Sequence, residues 1–85
     1  MPTTFQQAVK TNVSRTQRHE AIDALAREGK PTKLGILVRL SGLSGEFRGQ
    51  ALGELGRCRA TEELEAIAED RSVERVLRRK AAAMA

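Results

Sequence analysis

The chain has 85 residues, 40% hydrophobic and 31% charged, with a net charge of +4. That length fits one domain and the apolar fraction argues against gross disorder, while the lack of Trp and Tyr leaves an aliphatic core around Phe5 and Phe47. The single cysteine, Cys58, excludes an internal disulfide framework, and with no signal-type apolar core and no apolar run approaching the roughly 18–20 residues of a membrane span, a cytoplasmic protein is expected.

Residues 1–13 read as an N-terminal arm or capping helix, with Phe5, Ala8 and Val9 placed to cover the domain at 14–85. Ser14 with Gln17 has the form of a capping box and opens a helix over about 15–28, apolar at Ile22, Leu25 and Ala26. Gly29 ends it, and Pro31 stands where a first helical turn accepts proline. A second helix is predicted over about 31–41, apolar at Leu34, Leu37, Val38 and Leu40 and stopped by Gly42. Ser44 caps a third, with Phe47, Ala51, Leu52 and Leu55 at helical spacing. Thr61 is the predicted cap of a fourth, whose Glu62 and Glu63 suit the positive end of the helix dipole. Ser72 is the predicted cap of the last, with an apolar stripe of Val73, Val76, Leu77, Ala81 and Met84. No segment alternates with period two, so no sheet is expected.

A shift of thirty residues superposes the chain on itself. Arg18 falls on Arg48 and then Arg78, and Ala21 on Ala51 and then Ala81. Leu25 meets Leu55, Arg27 meets Arg57 and Leu34 meets Leu64. Conservative pairs join them: Ile22 with Leu52, Leu37 with Ile67, Leu43 with Val73, and Phe47 with Leu77. Identities outside the apolar stripe argue against coincidence between two amphipathic helices.

The segments FRGQALGELG (47–56) and ATEELEAIAEDRSVERVLRRKAA (60–82) resemble the short HEAT-like repeats related to those of phycobilin lyases. Phe47-Arg48 and Leu77-Arg78 match that family's apolar–Arg opening pair. Ala51-Leu52-Gly53-Glu54-Leu55-Gly56 matches its closing run, and Asp70 takes the loop position before the next unit. The resemblance covers residues 15–85. It implies an all-α, short α-solenoid of about two and a half helix-pair repeats, and is nearly silent on function. Gln17 departs from the opening pair, and thirty residues is shorter than the roughly 40–47 of standard HEAT units.

Arg18, Arg48 and Arg78 recur once per unit and are expected to lock units together, through loop carbonyls or an acid such as Asp70. Gly49, Gly53 and Gly56 line one side of the third helix, where a close backbone approach would offset their low helix propensity. "SGLSG" at 41–45 joins two helices and lacks the strand-to-helix context of a phosphate loop. His19 and Cys58 alone fall short of a zinc ligand set. The acids Glu62, Glu63, Glu65, Glu69 and Asp70 lack the spacing of a hard-metal loop and read as a solvated face. Lys33 falls on Glu63 and Arg39 on Glu69, so neighbouring units can oppose unlike charges.

No acid–base or nucleophile constellation, cofactor motif or metal site emerges, so an enzyme is not expected. The expected function is a protein-interaction module or small scaffold. Its candidate surfaces are the mixed-charge concave face and the C-terminal end, the latter comprising Arg71, Val73, Arg75, Val76, Leu77, Arg79, Lys80 and Met84. The last unit lacks a second helix to cover it, so this apolar end is expected to self-associate or receive a partner helix. The alternative is nucleic-acid binding to the phosphate backbone through the basic ends, without an aromatic platform for base stacking.

Overall fold

A computed structural model describes residues 3–85, and every regular element in it is an α-helix. They are α1 (Thr4–Val9), α2 (Arg15–Arg27), α3 (Pro31–Arg39), α4 (Gly45–Arg57), α5 (Thr61–Glu69) and α6 (Arg75–Met84). Helix starts at Arg15, Gly45 and Arg75, and at Pro31 and Thr61, recur at the thirty-residue interval found in the sequence.

The same phase reaches α1. Turns at 11–13, 41–43 and 71–73 join α1 to α2, α3 to α4 and α5 to α6, and the last two close by the same bond, Leu43 to Leu40 and Val73 to Asp70. The closest helix pairs are those three, so the chain divides into three hairpins. Further contacts join α2 to α4, α3 to α5 and α4 to α6. The last helix is therefore packed against α5 and α4, where the sequence suggested a helix with no partner.

The connections α2–α3 and α4–α5 close by one device. The Lys30 amide donates to the Leu25 carbonyl and the Gly29 amide to Ala26; thirty residues on, Ala60 donates to Leu55 and Arg59 to Gly56. This is the Schellman arrangement, whose penultimate residue takes a left-handed conformation. Gly29 (φ 67°) adopts it, and so does Arg59 (φ 54°), a side chain ill-suited to it.

Capping follows the sequence at α2, where Ser14 and Gln17 form a reciprocal capping box, as Thr3 and Gln6 do at α1. Ser44 occupies the N-cap of α4 without a side-chain cap bond. Two predicted caps are corrected. Thr61 is the first residue of α5, one position beyond the cap at Ala60, because the Schellman closure ends at Ala60 and the helix resumes at once. Ser72 precedes the N-cap Glu74, and its amide and hydroxyl both donate to the Asp70 carboxylate. That competing local bond ties the serine to the turn, so Val73 lies before α6, buried there beside the helix.

One core runs through all three hairpins. Leu25 and Leu55 are each fully buried, as are Leu34 and Leu64, and Leu37 and Ile67. Leu43 and Val73, and Phe47 and Leu77, are buried in the same way. Fully burying one such side chain stabilises by about 1.5–3 kcal/mol. Ala8 is also fully buried, with Phe5 and Val9 against the same core.

Candidate interaction surface at the C-terminal end

The amphipathic period of α6 divides the predicted surface. Val73, Leu77 and Ala81 face inward and are buried, while Val76 (63% exposed) and Met84 (40%) lie outside. Three of the five predicted apolar residues are thus covered within the fold, while Val76 and Met84 stay open. Val73 is buried in the turn and Leu77 where α6 packs on α5 and α4, so no continuous apolar stripe remains.

The basic residues are split in turn. Arg75, Arg78 and Arg79, at spacings that share one helix side, line a shallow cleft of about 250 Å³ with Ala68 and Ala82. Lys80 projects on the other side of α6, where with Ala83 and Met84 it borders a groove over Gly49, Leu52 and Gly53. Arg71 is exposed in the turn before α6.

The groove corrects the glycine expectation. A methyl group built on Gly49 or Gly53 would meet nothing within 4 Å, so no backbone packs there. Only Gly56 is approached, by the Met84 sulfur. The glycine approached most closely from another helix is Gly35, buried in α3, where an added methyl would have to displace the flexible end of the Glu63 side chain.

Glu63 belongs to a network at the α3–α5 contact. Arg39 Nε donates to Asp70 at 2.6 Å, its Nη1 donates to the Gly35 carbonyl at 3.2 Å, and Nη1 lies 3.7 Å from Glu63. Neighbouring units do oppose unlike charges, but Arg39 takes Asp70 and Glu63, not its equivalent Glu69. Glu63 and Asp70 are thereby partly buried, not a freely solvated face. Hydrogen bonds from the Ser72 hydroxyl, then Arg39, then the Ser72 amide hold the Asp70 carboxyl down at about 2.

The three repeat arginines do three things. Arg18 donates to the Lys10 carbonyl at 2.7 Å and lies 5.2 Å from the centre of the Phe47 ring. Arg48 pairs with Glu74, the N-cap of α6, at 2.5 Å. Arg78 forms no ion pair among the described residues and lines the cleft. None of them meets Asp70. Arg39 holds it instead.

A cluster between α2 and α4 went unread in the sequence. Arg15 and His19 both reach the Glu46 carboxylate, at 2.5 and 2.9 Å, and lower its pKa, Arg15 having the larger effect. His19 also meets the Gln50 amide oxygen and packs 4.7 Å from the Phe47 ring. The Cys58 thiol lies 3.9 Å from the Ala26 carbonyl. The signal for this cluster was the offset of about thirty residues from Arg15 to Glu46 and from His19 to Gln50.

Among the described residues no His, Cys, Asp and Glu group is placed to hold a metal, and no helix is long and apolar enough to cross a membrane. In comparisons with known proteins, no family model, curated protein or solved structure matches the chain.

Proposed function

We propose that the chain is a non-enzymatic protein-interaction module, a short HEAT-like solenoid that offers its C-terminal face to a partner. The observation that carries this reading is the difference between equivalent surfaces. Val38 and Leu52 are buried in the middle hairpin, whereas Ala68 and Ala82, thirty residues later, line an open cleft beside three arginines. The ordered contacts α2–α4, α3–α5 and α4–α6 support a solenoid. The one imidazole and the one thiol each have structural neighbours, which favours binding over catalysis.

Affinity capture from the native host, with and without nuclease, tests the reading. A partner protein retained at stoichiometric level after nuclease treatment is the expected result. Retention only through nucleic acid would overturn it in favour of the phosphate-binding alternative, which draws on the same clustered arginines.

A further inference from the structure

We infer that the cleft between α5 and α6, walled by Arg75, Arg78 and Arg79, receives an acidic segment of a partner protein, with carboxylates seated on those guanidinium groups. This rests on the reading of the chain as a protein-binding module and names the chemistry of the partner.

The molecule contains its own precedent. Arg48 stands thirty residues before Arg78, and its guanidinium is met by the Glu74 carboxylate from the hairpin that follows. The positions thirty residues before Ala68, Arg75, Arg79 and Ala82 are Val38, Gly45, Gly49 and Leu52. Val38 and Leu52 are covered where α5 and α6 pack on α3 and α4. In the last hairpin the covered apolar pair becomes two alanines, and the two glycines become two arginines. The face thus exchanges apolar area for positive charge while keeping an apolar floor. Clustered guanidinium groups bind carboxylates in charge-assisted, often bidentate, hydrogen bonds.

Charge selects among occupants. A second copy stacked head to tail would present its first hairpin, Thr4–Arg27, in which Lys10, Arg15, Arg18 and Arg27 outnumber Glu20 and Asp23. Like charges would then meet. A nucleic acid would extend its phosphates beyond the cleft, and the α5 positions one and two turns before Ala68 are the exposed acids Glu65 and Glu62. Those acids repel a continuous phosphate track. A short acidic peptide avoids them. Neither phenylalanine lines the cleft, which leaves no stacking platform.

The test uses the full chain and an alanine-rich helical peptide of about 18 residues, long enough to hold helix, with glutamates at i and i+4. A matched glutamine peptide, inorganic phosphate and a short DNA duplex are the comparison probes. Amide and guanidinium resonances of Ala68, Arg75, Arg78, Arg79 and Ala82 should shift with the glutamate peptide. The glutamine peptide should bind roughly tenfold or more weakly, as expected for loss of hydrogen bonds between charged groups. Arg75→Gln with Arg79→Gln should cause a similar loss with the fold intact, and the exposed control Arg27→Gln should not. Equal binding of the two peptides, shifts confined to another surface, or no peptide binding would each overturn the inference. Preference for the duplex, or for phosphate alone, would overturn it as well. Nuclease-resistant capture of a protein together with peptide failure would sink the cleft while leaving the module. Peptide binding without any captured protein would keep the cleft's preference for carboxylates but sink the module, and with it the partner protein as the occupant.

Discussion

Arg59 repeats the backbone conformation of Gly29 thirty residues later, with φ of 54° against 67°. Both close a Schellman turn with the same pair of amide–carbonyl bonds. Glycine tolerates that conformation, whereas a residue with a Cβ is strained in it by about 1–2 kcal/mol. Arg59→Gly should therefore stabilise the protein, by roughly 0.5–1 kcal/mol after the greater entropy of an unfolded glycine. Gly29→Ala should destabilise it by about 1 kcal/mol. Urea midpoints at constant m-value measure both, and a loss of stability in Arg59→Gly would contradict the shared turn.

Asp70 should give the protein an acid-sensitive component. Its carboxyl is held from 3.8 down to about 2 by Ser72 and Arg39. A depressed carboxyl contributes stability in full above its unfolded value and loses it as pH falls through the folded one. The loss should fall between about pH 4 and 2. Glu46, lowered by Arg15 and His19, acts in the same sense. Asp70→Asn should weaken the protein at neutral pH and flatten this part of the stability–pH curve. An unchanged acid slope in the variant would show that Asp70 is not the group responsible.

Gly49 and Gly53 lie inside α4 with open space where a side chain would start. Alanine at either position should stabilise by up to about 1 kcal/mol, the helix-propensity difference. For a domain of this size that is a rise in Tm of roughly 4–8 °C per kcal/mol. Gly56→Ala should gain less, because the new methyl must displace the Met84 sulfur. Calorimetry of the three variants decides the matter. Destabilisation by Gly53→Ala would mean that something packs on that groove.

Burial was the part of the structure most legible in the sequence. Leu25 with Leu55 and Leu34 with Leu64 share positions because a thirty-residue repeat returns each side chain to the same place between helices. Thr61 and Ser72, the predicted caps, are cap-type residues that stand out of phase with the repeat. Pro31 at the start of α3 already implied Thr61 at the start of α5, and Ser44 implied Glu74 as the cap of α6. The basic cleft was visible as a run of charge, but its division needed the helical period, which separates Arg75, Arg78 and Arg79 from Lys80. The Arg39–Asp70 bond was hidden by register: the contact falls one residue past the equivalent position, in a turn that Ser72 shapes.

The proposed solenoid order of the hairpins would put the cleft at one end of the stack, and methyl–methyl NOEs in solution test that order most directly. Methyl groups of α4 should show NOEs to α2 on one side and α6 on the other, and those of α3 to α5. Leu77 and Ala81 should appear as core methyls protected from solvent. NOEs placing α6 against α2 in place of α4, or a solvent-exposed Leu77, would contradict the arrangement, and with it the position of the cleft.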